Sequence, residues 1–309
     1  MYTIGIDLGG TNIAAGLVDE RGKIVDKASL PTLLGRSYDE IVADMGRVAK
    51  MLIEKNSLTV EDIKYIGIGA PGVLDNKSGL ATDNSNFKWK NFPLREKLQK
   101  HIDRPVYMGN DANVAAWAEF VSGCGKGSEN FVMLTLGTGV GGGIILNGRL
   151  HSGSHNIGAE IGHTVFKVGG NKCGCGNYGC LEAYCSATAL IKRAEEEVKN
   201  APASYLATVE HIDAKSVCDG AKAGDELCRR LFDEYVSNLA QGIASIVNFL
   251  DPDVIALGGG VANAGDFLLE PLRREFPKYV TFSEMQNTKI LKAEMGNDAG
   301  IIGAALLGE

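Results

Sequence analysis

The chain has 309 residues, of which 22% are charged and 45% hydrophobic, with 40 glycines, seven cysteines and a formal net charge of −7. This length can bury a large core and is expected to divide into two domains, while the acidic balance argues against a nucleic-acid surface. Met1 leads straight into an apolar strand with no basic leader, and no apolar run approaches membrane-spanning length.

Tyr2 to Leu8, Asn12 to Val18 and Lys23 to Leu30 read as three strands. The turn between the first two, Asp7-Leu8-Gly9-Gly10-Thr11-Asn12, strings together small residues whose backbone N–H groups can cradle phosphate oxygens. Asp7, at the end of an apolar run, is placed to hold Mg2+ through water beside such phosphates. An ordinary glycine-rich hairpin turn would look the same, and no Walker-type G-x-x-x-x-G-K-[ST] is present. Ser37 and Glu40 form a capping box for a helix whose core face is Ile41, Met45, Val48 and Leu52. Tyr65 to Gly69 is a strand broken at Gly69-Ala70-Pro71-Gly72, and Asp75 to Gly79 reads as a hairpin connection. The polar run Asp83-Asn84-Ser85-Asn86, followed by Phe87 and Trp89, is either a surface loop with an aromatic anchor or a cover for a sugar face. A helix from Pro93 to Gln99 and a strand from Val106 to Met108 lead to Gly109-Asn110-Asp111-Ala112-Asn113, which opens the apolar helix Val114 to Phe120. Asp111 fits an N-cap. Beside Asn110 it equally offers a carboxylate that could take a hydroxyl proton while the amide orients that hydroxyl.

The second half repeats this order: a strand Phe131 to Leu136, a turn Gly137-Thr138-Gly139-Val140-Gly141, a strand Gly142 to Leu146 and a hairpin signal Asn147-Gly148. Two related Gly/Thr hairpins imply two lobes facing one cleft, with a nucleotide's phosphates held between the turns. Next come His163 and, after nine intervening residues, Cys173, Cys175 and Cys180 in a C-x-C-x4-C spacing. Three thiolates and an imidazole make the ligand set of a closed tetrahedral zinc site. Glu160 and Glu182 flank the set and are not needed to fill it, so both are free to meet a hydroxyl-rich ligand beside the second nitrogen of His163. A zinc loop with no ligand nearby is the plain alternative; a disulfide or an iron–sulfur cluster fits this spacing less well. The remaining cysteines, Cys124, Cys185, Cys218 and Cys228, have the scatter of buried thiols in a reducing cytoplasm. Helices follow over Thr188 to Lys199 and Asp225 to Leu250, then a buried strand Val254 to Leu257 ending in Gly258-Gly259-Gly260, where a flat adenine and its ribose could lie close to the backbone. Asp266 is an N-cap candidate for a helix Phe267 to Phe276. Lys289 to Ala293 is the last strand, and Asn297 opens a small Ala- and Gly-rich helix.

Six segments in this order, DLGGTN (7–12), GNDAN (109–113), LGTGVGGG (136–143), GAEIGH (158–163), CGCGNYGCLE (173–182) and GGGV (258–261), resemble the ROK (repressor, open reading frame, kinase) family of sugar kinases. The resemblance implies the two-lobed α/β fold of the actin-like ATPases, ribonuclease H-like in each lobe, with a central cleft and a zinc loop. Its first lobe would be residues 1–118, rejoined by the C-terminal helix 297–309, and its second 119–296. It implies a cytoplasmic hexokinase-type enzyme, glucokinase above all, using ATP and Mg2+, with a structural Zn2+ and a homodimeric state. Residue by residue, Asp111 becomes the catalytic base. Asn110, Glu160, His163 and Glu182 become sugar contacts. Gly9, Gly10, Thr11, Asn12, Thr138 and Gly139 become phosphate-binding positions, Gly259 and Gly260 the adenosine side, and His163, Cys173, Cys175 and Cys180 the zinc ligands. Where many relatives have Gly-Glu this chain has Ala159-Glu160, a change not expected to disturb the site. The family's repressors carry a DNA-binding domain ahead of the kinase-like part, for which a phosphate turn starting at residue 7 leaves no room.

Overall fold

The computed structural model describes residues 1–84 and 87–308, so the Ser85-Asn86 part of the predicted polar loop lies outside the described residues. The first half of the chain forms β1 (Tyr2–Leu8), β2 (Asn12–Val18), β3 (Ile24–Pro31), α1 (Tyr38–Lys55) and β4 (Ile63–Ala70). It continues through β5 (Val73–Asp75), β6 (Leu80–Asn84), β7 (Trp89–Phe92), α2 (Leu94–Gln99), β8 (Val106–Asn110) and α3 (Asp111–Ser122). The second half forms β9 (Phe131–Leu136), β10 (Val140–Leu146), β11 (Arg149–Leu150), α4 (Glu182–Cys185), α5 (Ala187–Glu197), α6 (Ala214–Ala223) and α7 (Glu226–Leu250). It closes with β12 (Val254–Gly258), α8 (Asp266–Glu275), β13 (Lys289–Lys292) and α9 (Ala299–Ala305).

Two five-stranded sheets carry the architecture, ordered β3-β2-β1-β4-β8 and β11-β10-β9-β12-β13. In each, three consecutive strands pair antiparallel and two later strands add in parallel. A separate three-stranded sheet, β5-β6-β7, flanks the first. The first sheet packs on α1, whose Ile41, Met45, Val48 and Leu52 are buried. The predicted capping box is formed, Ser37 accepting from the Glu40 N–H and Glu40 from the Ser37 N–H. In the second, α7 lays Leu227, Leu231, Tyr235, Leu239, Ile243 and Ile246 into the core beneath β9 and β12.

Two helices join the sheets. α3 lies against β10 on one side and α9 on the other. α9 settles onto β1 and β4, where a side chain at Gly5 would strike the Ile301 carbonyl and one at Gly67 the Ala304 carbonyl. These glycines let helix and strand backbones approach more closely than any Cβ allows. No helix among the described residues is long and apolar enough to cross a membrane.

Several element ends move from their expected places. α3 begins at Asp111, three residues before the apolar run, because Asn110 supplies the cap. β10 begins at Val140, inside the expected turn. Asp266 is the first residue of α8 and not its cap, which is Gly265. α6 was not anticipated, although Asp213 and Ser216 form a reciprocal capping box and Gly224 closes it in the left-handed region.

Candidate active site

Between the two sheets opens a cavity of 620 Å³. Asp7 reaches it from the end of β1, Asp111 from the start of α3, and Gly258, Gly259 and Gly260 from the end of β12. Ligands of α/β proteins collect at such carboxyl ends of strands. Gly259 has φ +83°, and a side chain there would run into the backbone of Leu136, whereas a Cβ on Gly260 would meet nothing. That stretch is therefore a bare backbone wall.

The two carboxylates share a poorly solvated space. Burial, aided by the Asp111 charge, raises Asp7 to about 6. Burial also raises Asp111, against the pull of its Oδ1 accepting at 2.8 Å from the Ala112 N–H. Asn110 caps α3, its Oδ1 accepting from Ala112 and Asn113 at 3.0 and 3.2 Å, and its amide donates to the Gly72 carbonyl at 3.2 Å. The capping role considered for Asp111 falls to its neighbour.

The two predicted phosphate turns are closed differently. In the first, the Gly9 N–H is spent on the Asn12 carbonyl at 2.9 Å, and Thr32 pins the loop by donating to the Gly9 carbonyl at 2.7 Å. Gly10, Thr11 and Asn12 form the rest of this turn; Thr11 and Asn12 are exposed. In the second, the Gly137 N–H donates to the Gly139 carbonyl at 3.0 Å, and the start of α5 holds the turn, Thr188 donating to the Thr138 carbonyl at 2.8 Å. Of the two turns, Asp7 and Gly141 line the 620 Å³ cavity, whereas Gly9, Gly10, Thr11, Asn12, Thr138 and Gly139 are not in its lining.

His163, Cys173, Cys175 and Cys180 place their ligand atoms within 4.8 Å of one another. Cys173 Sγ is 3.7 Å from His163 Nδ1, and Cys175 Sγ is 3.7 Å from Cys180 Sγ. Zn–S bonds of about 2.3 Å at tetrahedral angles set sulfurs about 3.8 Å apart, and a Zn–N bond of about 2.0–2.1 Å shortens the S···N edge to about 3.6 Å. Two of the six edges thus already have about the length a zinc tetrahedron needs, and no ligand-atom pair exceeds 4.8 Å. A left-handed Gly176 and Gly179, and a bridge between Val165 and Cys180, shape the loop around them.

Glu182 links this cluster to the second turn: Oε1 lies 3.3 Å from Cys173 Sγ, and Oε2 accepts from the Val140 N–H at 3.0 Å. β10 carries the connection onward. A Cβ on Gly141 would lie 3.3 Å from the Ala112 Cβ, one on Gly142 would press on the Ala159 carbonyl at 2.6 Å, and Gly162 sits on the Val140 carbonyl. Successive glycines therefore let β10 touch the Asp111 helix with one face and the Glu160–His163 segment with the other. Glu160 is exposed and lines a separate, largely apolar groove of 420 Å³, while Asn110 lines a third cavity of 240 Å³.

The cleft also takes residues that the sequence pattern did not single out: Asn263, Lys292, Asn297 and Gly300. Lys292 is the one Lys or Arg in its lining, and a side chain at Gly300 would meet the Asp7 carboxylate at 2.5 Å. Their signal was positional, since all lie at or beyond the carboxyl ends of β12 and β13.

A model of the ROK family matches residues 3–309. A glucokinase of Thermotoga maritima is 37% identical over 307 residues, covering 98% of this chain and 95% of that protein. An N-acetylmannosamine kinase of Haemophilus influenzae is 33% identical over 309 residues, covering 99% and 94%. The crystal structure of a ROK family glucokinase from Streptomyces griseus in complex with glucose and AMPPNP superimposes with a TM-score of 0.82 at 34% identity, covering 99% of each chain. With that match running the length of the molecule, and with the α/β architecture of the sugar kinases beneath it, the chain belongs to the ROK family.

Proposed function

We propose that this protein transfers the γ-phosphoryl group of ATP to the 6-hydroxyl of a hexose, glucose foremost. The observation that carries the reading is a pair of partly desolvated carboxylates, Asp7 and Asp111, delivered from β1 and α3 into one cleft walled by bare glycine backbone. The likeness to a glucokinase solved with glucose and AMPPNP supports it.

Phosphoryl transfer leaves a protein little covalent chemistry, and positioning with charge neutralisation does most of the work. In this reading Asp111 accepts the proton of the 6-hydroxyl as its oxygen bonds to phosphorus, and ADP leaves. The burial that raises the Asp111 pKa makes it a stronger base toward that proton. Asn110, Glu160, His163 and Glu182 orient the remaining hydroxyls. Gly9, Gly10, Thr11, Asn12, Thr138 and Gly139 meet the phosphates, and Gly259 and Gly260 the adenosine. Asp7 would hold Mg2+ through water, and that ion would neutralise phosphate charge when bound. Zn2+ on His163, Cys173, Cys175 and Cys180 is structural, since the protein fills all four places. The same reading divides the chain at residues 118 and 119, returns 297–309 to the first lobe, and takes the protein to be a cytoplasmic homodimer.

The N-acetylmannosamine kinase relative favours a second reading, an N-acetylhexosamine kinase; fructose is a further candidate acceptor. From another class, a sugar-sensing regulator would bind hexose without turnover. A coupled assay of ADP release across glucose, mannose, fructose, N-acetylglucosamine and N-acetylmannosamine separates them. The highest kcat/KM is expected for glucose. A preference for an N-acetylated sugar moves the reading to the second, and binding with no turnover on any sugar overturns the kinase assignment.

A further inference from the structure

Asp111 opens α3, and eight residues on Glu119 nearly ends it, completely buried and with no cationic partner among the described residues. A carboxylate in that position is costly unless hydrogen bonds replace its lost water. Three backbone N–H groups do so: Oε1 accepts from Glu294 and Met295, each at 2.7 Å, and Oε2 accepts from Cys124 at 3.2 Å. The donors come from two segments with a shared property. Residues 123–130 carry the chain from α3 into the second sheet, and residues 293–298 bring it back from β13 to α9 on the first. One carboxylate thus ties together the outward and return crossings between the sheets.

We propose that Glu119 is a positioning residue: it fixes the Asp111-bearing helix against the 293–300 wall of the cleft, and so sets the spacing between the group that takes the proton and the opposite wall. Ala293, Gly296, Asn297 and Gly300 line the cleft on either side of Glu294 and Met295, which it holds. The side chain has to be a carboxylate. Glutamine has one acceptor oxygen, and its amide would present N–H to the N–H of one crossing. Gly123 belongs to the same arrangement, because a Cβ there would strike Glu119 Oε2.

The inference rests on the kinase reading for its effect on turnover but not for its effect on the crossings, so both are measured. Glu119→Gln is compared with the parent protein for hexose phosphorylation and for amide hydrogen exchange at residues 124, 294 and 295. Gly123→Ala provides a second route that leaves the carboxylate in the chain, and it serves alone if the first variant does not fold. The expected result is faster exchange at those amides and a kcat lower by about 10²-fold, the cost of a misplacement near 1 Å, with KM for ATP little changed. Glu119→Asp, which keeps the charge but shortens the reach, should fall between the two. Exchange and kcat both at parental values in a folded variant would overturn the proposal, as would a loss of Tm with kcat unchanged below the transition. If the parent has no kinase activity but exchange at the three amides still accelerates, the functional reading has failed and the tie between the crossings stands.

Discussion

The two sheets follow the same path, three antiparallel strands and then two parallel ones, yet they serve the cleft differently. The first turn, after β1, is closed by its own backbone and by Thr32, just past the end of β3, so all its ties lie within the first three strands and their ends. The second, after β9, is held from outside by α5 and by Glu182, which also touches Cys173 of the Cys/His cluster. One copy of the hairpin is a local device, and the other is the meeting point of elements far apart in the chain. A common backbone plan supplies the cleft, and the segment after β11, present in only one copy, carries the Cys/His cluster and Glu182.

Breaking the chemistry should have the largest effect. Asp111→Asn is expected to lower kcat by about 10²–10⁴-fold while hexose binding, followed by tryptophan fluorescence or calorimetry, stays largely intact. A variant within tenfold of the parent would remove Asp111 from its role. Next comes the externally braced hairpin: Cys175→Ser should lower stability by about 4 kcal/mol or more, as loss of a structural metal does, and raise KM for the hexose. The loss should appear first as faster hydrogen exchange in residues 158–182, with β1–β3 unaffected. A uniform change across both sheets would mean that the second turn does not depend on the cluster.

The first turn is sharpened by pH. Asp7, raised from 3.8 to about 6, keeps its proton in the folded protein after the unfolded chain has lost it. Stability is therefore lost as pH climbs from about 4 to about 6 and changes little above that. Asp7→Asn should add up to about 3 kcal/mol at pH 7 and almost nothing at pH 4, while abolishing turnover. Equal gains at both pH values would show that desolvation of Asp7 is not the cause. The smallest effect concerns Ala159, which sits at φ +66°. Left-handed backbone costs a residue with a Cβ about 1–2 kcal/mol, and glycine returns about 0.4–1 kcal/mol of that through the unfolded chain. Ala159→Gly should thus gain at most about 1 kcal/mol in a denaturant titration; a clear loss would mean that the Cβ makes contacts worth more than the strain.

Most strands and the long helices were legible because alternation and 3.6-residue periodicity act locally, as in α1 with its capping box and α7 with its buried stripe. The His163–Cys180 cluster was legible for a different reason: glycines between closely spaced ligands leave few other uses for such a loop. The role of the glycines was only half visible. LGTGVGGG reads as a phosphate turn, but Gly141 and Gly142 serve close packing on opposite faces of β10, which depends on what the rest of the chain brings there. Ala159 shows the same limit, since its positive φ belongs to the loop joining β11 to the Cys/His cluster. Lys292 and Asn297 carry no motif at all. Only the pairing of β12 with β13 brings them to the cleft.

The seat of α9 on β1 and β4 has a consequence for how the protein is made. Gly5 and Gly67 leave the ribosome early, but the helix that covers them begins only at Ala299. At translation rates of about 5–20 residues per second the N-terminal strands wait on the order of ten seconds or more for their final covering. Their apolar face stays open throughout that interval, so a chaperone has its natural opportunity there, and a chain released before Ala299 would be left with that face permanently bare.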